Sequence, residues 1–169
     1  LIEAAAVAGC EFCAAAVAVA LQQETPEVEQ RCVHLAHKGG LLGMRHPVSW
    51  PNGVSSAGFA FRHALYWQVV YEDLPHSRRG QWQHRIALGE ESAWGEQRAQ
   101  IAAELAMRFE AAHDLPRCVH YLLLAGSSAL QRCAYLESVG LLQHAVDMVP
   151  QLPAATQPRQ ELELRLPLG

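Results

Sequence analysis

Apolar residues recur with a helical period along most of the chain, and one stretch in the first half has the pattern of strands instead. Apolar positions three and four apart predict helices at residues 1–8, 14–21 and 26–38. Residues 41–44 begin an extended segment, Asn52-Gly53 is a strong hairpin-turn signal, and 57–61 is the expected return strand. The pattern therefore predicts three helices followed by a two-stranded hairpin.

The ends of these helices carry start and stop signals. Gly9 suits a C-cap because it lacks a Cβ, and Gly39-Gly40 should end the third helix. Thr25 is the predicted N-cap of that helix, and Pro26 takes its first position. Three helices and a hairpin follow one another in the order of a winged helix. Residues 1–75 are therefore predicted to form a winged-helix-like domain with a small β-hairpin.

The stretch Phe59–Pro75 passes from a strand into a helix. Its two phenylalanines lie on one strand face, and Leu65 and Val69 then lie four residues apart, as on one helix face. His63 stands at the junction, where a turn of backbone amides can meet a ligand. From residue chemistry alone, the simpler interpretation is that His63 caps its helix or packs against Trp67.

The second half of the chain has a helical pattern throughout. Helices are predicted at 76–91, at 96–112, from Pro116 onward and at 128–133. The helix at 96–112 should bury Ile101, Leu105 and Phe109, and a longer helix after 133 should bury Val139, Leu142, Val146 and Val149. A loop with Pro150, Pro153 and Pro158 then precedes a last predicted helix at 159–166. The motifs that begin at Cys118 and Ser138 superpose at an offset of 20 residues. Paired antiparallel helices with small residues at close crossings are typical of a tetratricopeptide-like array. The predicted fold is mainly α, with residues 76–169 as a helical arm leading into such repeats.

Composition and charge exclude several classes of protein. Half of the residues are apolar and 18% are charged, as in a globular protein, and the net charge of −4 does not favour nucleic acid or an anionic membrane as a partner. The most apolar stretch, 14–21, is far shorter than the about 20 residues that span a bilayer. Five cysteines without a disulfide spacing, and the lack of a basic leader, predict a cytoplasmic protein with reduced thiols. Because the chain starts and stops inside apolar helical patterns, we expect it to be a segment of a longer polypeptide.

No complete catalytic constellation is present in the sequence, so the chain itself is not expected to be an enzyme. Cys10 and Cys13 form a CxxC without the further ligands that zinc needs, and buried structural thiols are the preferred interpretation. His34 and His37 are spaced for a metal on a helix, yet no carboxylate completes a site. The basic cluster 76–85 could contact phosphate or be a solvated helix face. No metal is predicted.

The third helix is the one that would enter the major groove in a DNA-binding winged helix. Its N-terminal turn carries Glu24, Glu27 and Glu29, which would repel phosphates, and Arg31 and Lys38 do not outweigh them. DNA binding is therefore disfavoured, and the domain is expected to make protein contacts.

Three stretches together look like a known bacterial pattern: residues 1–12 (Leu-Ile-Glu-Ala-Ala-Ala-Val-Ala-Gly-Cys-Glu-Phe), residues 61–84 (Phe-Arg-His-Ala-Leu-Tyr, then Val-Tyr-Glu-Asp-Leu-Pro, Arg78 and His84) and residues 101–109 (Ile-Ala-Ala-Glu-Leu-Ala, then Phe). In this order they resemble the region that follows the nucleotide-binding core in STAND-type ATPases of the AAA-like superfamily. Those chains are often joined to adenylate cyclase or LuxR-type transcriptional-activator modules, with tetratricopeptide repeats at the C-terminus.

The resemblance implies a role for His63, with Arg62 beside it. In that superfamily a histidine just after the winged-helix hairpin reaches the β-phosphate of ADP and holds the closed state; here Ala64 stands where a related motif often has aspartate. The phosphate loop GxxxxGK[ST] is absent from this sequence, so ATP or ADP would be bound by an upstream core and no cofactor is expected in this segment.

The expected function is that of a non-catalytic regulatory segment. Its winged helix would gate nucleotide on the upstream domain, and its helical arm would bind an unknown protein or small-molecule signal. A stand-alone helical-repeat module that binds proteins is the first alternative, and a DNA-binding transcriptional regulator is the second.

Overall fold

The computed structural model describes residues 1–152, which form two compact units, Leu1–Gly95 and the part from Glu96 onward. The described chain is mainly α-helical with one small antiparallel sheet, as predicted. The predicted helix at 159–166, and Pro153 and Pro158 of the loop before it, lie outside the described residues. In the described part, no helix is both long and apolar enough to cross a bilayer.

The first unit contains five helices and three strands. In chain order they are α1 (Ile2–Ala8), β1 (Glu11–Cys13), α2 (Ala14–Leu21), α3 (Thr25–Lys38), β2 (Leu42–Ser49), β3 (Ser55–Phe61), α4 (Ala64–Asp73) and α5 (His76–Trp94). The three helices and the hairpin occur in the predicted order. The strand β1 is an addition, because residues 11–13 were not expected to be extended.

The sheet has the order β1-β3-β2, so β3 lies in the centre and is antiparallel to both neighbours. Phe12 pairs with Phe59, and their rings stack with centroids 5.8 Å apart. Phe59 is fully buried in the core of the first unit, where β3 contacts α2 and α3. Residues 11–13 form a strand because they cover the apolar face of β3. Without them, the phenylalanine rings on that face would meet water.

The hairpin turn forms where the Asn-Gly pair predicts it. The amide of Val54 donates to Oδ1 of Asn52 at 3.1 Å, and Gly53 takes a positive φ of 84° that a side chain would disfavour. The amide of Trp50 donates to the carbonyl of Val54 at 2.8 Å and closes the turn.

Helix α3 begins at Thr25, one residue earlier than predicted. Thr25 is the first helical residue and Glu24 is the N-cap, without a side-chain cap bond, so the prediction of Thr25 as the cap is wrong. Val28 and Cys32 are buried, and Ala36 is more deeply buried than Leu35.

Helix α5 belongs to the first unit, where it packs on α1 and α2. A Cβ added at Gly89 would lie 2.9 Å from Cγ1 of Val19, so the glycine permits a close approach of α5 to α2. The compact unit ends at Gly95, whereas the predicted first domain ends at residue 75. The difference is helix α5, which the prediction assigned to the helical arm.

The second unit begins in a 3₁₀ helix (Gly95–Ile101) and continues with α6 (Ala102–Ala111), α7 (Leu115–Gln131), α8 (Tyr135–Met148) and a short 3₁₀ turn (Val149–Gln151). The predicted helix at 96–112 therefore starts later than expected as an α-helix. The separate helix expected at 128–133 is wrong, because those residues up to Gln131 continue α7 without a break.

Helices α6, α7 and α8 form an antiparallel array. Sγ of Cys118, near the start of α7, lies 3.5 Å from Sδ of Met148 at the end of α8. At the crossing, Oγ of Ser138 donates to the carbonyl of Gly126 at 2.8 Å. A Cβ at Gly126 would lie 2.8 Å from Leu142, so this crossing needs a residue without a side chain.

The two turns of the array repeat one backbone geometry, which explains the internal similarity in sequence. His113 and Cys133 both have a positive φ, of 58° and 60°. The amide after each donates five residues back: Asp114 to the carbonyl of Phe109 and Ala134 to that of Ala129, both at 2.9 Å. This six-to-one bond is a Schellman helix end. The 20-residue offset is thus one helix plus one turn.

Candidate functional site

The junction between β3 and α4 is fixed by the strands on both sides. The amide of Phe61 donates to the carbonyl of Cys10, and the amide of Arg62 to the carbonyl of Leu41, each at 2.9 Å. Nε of Arg62 also donates to the carbonyl of Leu42 at 3.0 Å. These bonds leave the backbone before His63 with little freedom, so the histidine has a defined position.

His63 is the N-cap residue of α4, with an extended backbone (φ −135°, ψ 133°). Its carbonyl accepts from the amide of Tyr66 at 3.0 Å, but its side chain makes no cap bond. The imidazole meets the Tyr66 ring edge-on, with centroids 5.2 Å apart. His63 therefore takes the expected N-cap position without a side-chain cap bond, and its ring packs against Tyr66, where Trp67 was expected. In the part of the chain that is described, the ring is exposed and makes no hydrogen bond.

Trp67 instead ties α4 to the end of α1. Its Nε1 donates to the carbonyl of Ala6 at 2.8 Å, and its ring stacks on Tyr71 at 5.5 Å. Nε2 of Gln83, on α5, donates to the next carbonyl, Val7, at 2.9 Å. Two carbonyls at the C-terminal end of α1, which has no further turn to bond them, are satisfied by side chains far away in sequence. Sequence pattern holds no signal for these pairings.

The basic cluster of α5 is engaged within the first unit. Arg78 forms an ion pair with Glu3 at 3.1 Å, and Nη1 of Arg85 donates to the carbonyl of Ala20 at 2.9 Å. The guanidinium of Arg79 lies 4.9 Å from the centre of the Tyr71 ring. These arginines contact helix ends and an aromatic ring, so the cluster is not a purely solvated helix face, and a phosphate contact stays a prediction.

The cysteines have the environment of structural thiols. Cys13 is buried at the end of β1, and burial raises the pKa of its thiol. Burial likewise raises the pKa of Cys32 to about 11 and that of Cys118 to about 12. Since the thiolate is the nucleophile and the metal ligand, these three groups are unreactive at neutral pH. Cys10, the other member of the CxxC, is half-buried and free.

His34 and His37 both lie on the exposed side of α3. Among residues 1–152, no group of three or more histidine, cysteine or carboxylate side chains lies close enough together to hold a metal.

The acidic end of α3 contributes to the fold as well as to the surface charge. Oε2 of Glu29 accepts from the amide of Ala57 at 3.2 Å and so joins α3 to the central strand. Glu24 and Glu27 are exposed. Arg31 is turned toward Gln23, to which it donates at 3.1 Å. A phosphate backbone approaching this end would meet carboxylates first, and that disfavours groove reading.

Comparisons with protein-family models, with curated proteins and with solved structures find no match to this chain.

Proposed function

We propose that the chain is a non-catalytic regulatory segment of a signal-transduction ATPase of the STAND type. Its first unit would close over nucleotide that an upstream core binds, and its helical array would receive a partner or signal. The observation that carries the proposal is the exposed imidazole of His63, without a hydrogen bond in the described residues, at a junction held by two strands.

The chemistry of this position suits a phosphate contact. A neutral imidazole has one N–H donor, and a protonated one has two, so His63 can donate to a phosphate oxygen in either state. Arg62 adds a permanent positive charge next to it, and of its side-chain nitrogens only Nε has a hydrogen bond among the residues described. A contact that depends on one side chain at a domain surface is lost when the neighbouring domain rotates away, which is how such a residue would report the state of the nucleotide.

The array of α6, α7 and α8 suits the part of an arm. Each helix packs on the next one in the chain, and the two turns between them have the same backbone geometry, as in a helical-repeat array. Nε2 of His144 on α8 lies 3.2 Å from Oε1 of Glu110 on α6, a hydrogen-bond contact between the two helices.

We expect His63→Ala, made in the longer protein that also carries the nucleotide-binding core, to weaken ADP retention by roughly ten- to a hundredfold. A hydrogen bond to a charged group contributes about 1.5–3 kcal/mol, which corresponds to that range. Retention is measured as the rate at which bound ADP exchanges for labelled ADP. His34→Ala is the matched control, because His34 is an exposed histidine on α3. Unchanged exchange in His63→Ala would remove this residue from the sensor role, and saturable micromolar ADP binding by residues 1–169 alone would contradict the need for an upstream core.

A helical-repeat module that binds a protein is the second candidate, favoured by the surface of α8. Leu136 is 92% exposed, and Tyr135 and Val139 are also exposed, so an apolar patch faces solvent beside them. Under this alternative, Leu136→Asp abolishes binding of a defined partner in a titration and His63→Ala leaves it unchanged. The reverse pattern would favour the ATPase segment.

A further inference from the structure

The outer face of helix α8 carries large apolar side chains that are exposed in the described part of the chain. The inner face of α8 contacts α7 and includes the buried residues Leu142 and Met148. On the opposite side, exposed residues at helical spacing form one band along α8, the outer stripe: Leu136, Val139, Gly140, Gln143 and Val146. In an array of helices, the next helix buries such a face, so the outer stripe is where a further helix would pack.

The glycine in the outer stripe also indicates a neighbouring helix. A Cβ built at Gly140 would meet no atom within 4 Å, so nothing in the described part of the chain requires a glycine there. Glycine inside an exposed helix is unfavourable relative to alanine. At Gly89 and Gly126 the missing side chain lets another helix approach closely. Gly140 would have the same use if a helix lay on the outer stripe.

The next segment of the chain has the position and the length to cover the outer stripe. The described part ends at Leu152, just past the C-terminal end of α8, and the helix predicted at 159–166 lies outside it. Residues 153–158 can span about 20 Å. A helix over 159–166 is about 12 Å long, and Val146 and Val139 are about 10 Å apart along the axis of α8. An antiparallel helix that begins near the end of α8 therefore matches this part of the stripe.

The leucines of this segment have the spacing that such a contact needs. In a helix, Leu162 and Leu166 are four residues apart on one face, and Leu164 lies on the opposite side. Running antiparallel to α8, the helix would set Leu162 beside Val146 and Leu166 beside Val139. Two leucines would then cover two exposed valines.

The charges at the meeting ends of the two helices are complementary. Asp147 lies at the C-terminal end of α8, where a carboxylate is unfavourable, and the last turn of α8 holds no basic residue. Asp147 accepts from Nε2 of Gln143 through Oδ1 at 2.9 Å, which leaves Oδ2 without a hydrogen bond among the residues described. Arg159 opens the predicted helix and would meet this carboxylate. The opposed dipoles of antiparallel helices favour the same orientation.

We propose that residues 159–166 form a helix that packs antiparallel on the outer stripe and so extends the array by one helix. The arrangement continues the order of α6, α7 and α8, in which each helix packs on the next one in the chain. Leu136 lies about 6 Å beyond the end of such a helix, so it remains available to a separate partner. The proposal does not depend on nucleotide binding or on an upstream domain.

Disulfide trapping in the whole 169-residue chain tests the arrangement. Cys10→Ser and Cys133→Ser first remove the two cysteines that are not buried. In that background Val139→Cys is combined with Leu166→Cys, and the control combines Val139→Cys with Leu164→Cys. The tethers are nearly equal in length, but only the first pair brings the thiols face to face, so at about 1 µM it should cross-link roughly tenfold faster or more. Equal rates for the two pairs, or cross-links formed only between chains, would overturn the proposal.

Hydrogen exchange of the α8 amides measures the contact without new thiols. Leu162→Asp should make these amides exchange roughly three- to tenfold faster, because its carboxylate would lie against Val146 and release the segment. Leu164→Asp is the matched control and should leave their exchange within about twofold of the wild type. No acceleration in Leu162→Asp would contradict the contact. Equal acceleration in Leu164→Asp would contradict the helix, because all three leucines share a face only in a strand.

Discussion

Replacing Phe59 with alanine is expected to lower the free energy of unfolding of the first unit by about 3–5 kcal/mol, the range for truncating a fully buried phenylalanine. The ring is completely buried, stacks on Phe12 and lies on the central strand of the sheet. Its loss leaves a cavity between the sheet and the helices packed on β3, α2 and α3 among them. Because whole domains are stable by only about 5–15 kcal/mol, the variant should be close to unfolding at room temperature.

Tryptophan fluorescence during urea unfolding measures this effect selectively. All four tryptophans of the chain, Trp50, Trp67, Trp82 and Trp94, lie in the first unit. Met44→Ala is the matched control, since Met44 is the cross-strand neighbour of Phe59 on β2 and is half exposed. Its effect should be below about 1 kcal/mol. Equal shifts of the urea midpoint in the two variants would show that Phe59 is not a centre of the core.

The helices and the hairpin follow from local pattern because their signals are local. The helix period, Gly9 after α1, and the Asn52-Gly53 turn each determine backbone geometry within a few residues, and the structure has α1, α3 and the hairpin where those signals place them. The strand β1 carries no such signal. It is three residues long and exists because β3 offers an unpaired edge and two phenylalanine rings.

Burial within a helix was harder to predict than the helix itself. Leu142 in α8 and Val149 just after it are buried as expected, but Val139 is 65% exposed and Val146 also faces solvent. The side of α8 that meets α7 carries small residues, Ser138 and Ala145 among them, since the helices cross closely at Gly126. A hydrophobicity pattern gives large apolar residues to the core and cannot show that a close crossing selects small ones instead.

The packing role of a glycine in a helix was also not predictable from the sequence pattern. A glycine at position 89 is expected to make helix α5 less stable by about 1 kcal/mol relative to alanine, so the sequence alone argues against a helix there. In the structure the missing side chain is what allows Val19 of α2 to pack against the α5 backbone. The contact joins residues that are far apart in the chain, so only the folded arrangement reveals it.

The candidate site was predictable in position and not in detail. The strand-to-helix junction at His63 is where the pattern places it, because strand and helix periods meet there. The environment of the His63 ring was not predictable. Trp67, its expected neighbour, donates a hydrogen bond to the carbonyl of Ala6, and the ring of His63 contacts Tyr66. A nucleotide contact at this ring stays a prediction.

Replacing Phe109 with alanine is expected to destabilise the second unit by about 3–5 kcal/mol, for a different local reason. The ring is fully buried at the end of α6 and stacks face to face on Tyr121 of α7, with centroids 5.6 Å apart and planes 8° apart. The guanidinium of Arg117 lies 5.4 Å from the centre of the same ring. One truncation therefore removes an aromatic pair and a cation–π contact together with the buried area.

Hydrogen exchange followed by mass spectrometry measures this effect, because the second unit holds no tryptophan. Amides of α6 and α7 that exchange through unfolding of the unit should exchange roughly a hundredfold faster or more in Phe109→Ala, as a loss of 3 kcal/mol implies. Met107→Ala is the control on the same helix, because Met107 is 70% exposed two residues away. That variant should leave exchange within about twofold of the wild type, since exposed substitutions change stability by less than about 0.5 kcal/mol. Similar acceleration in both variants would mean that α6 is held by its own helical propensity and not by the Phe109–Tyr121 stack.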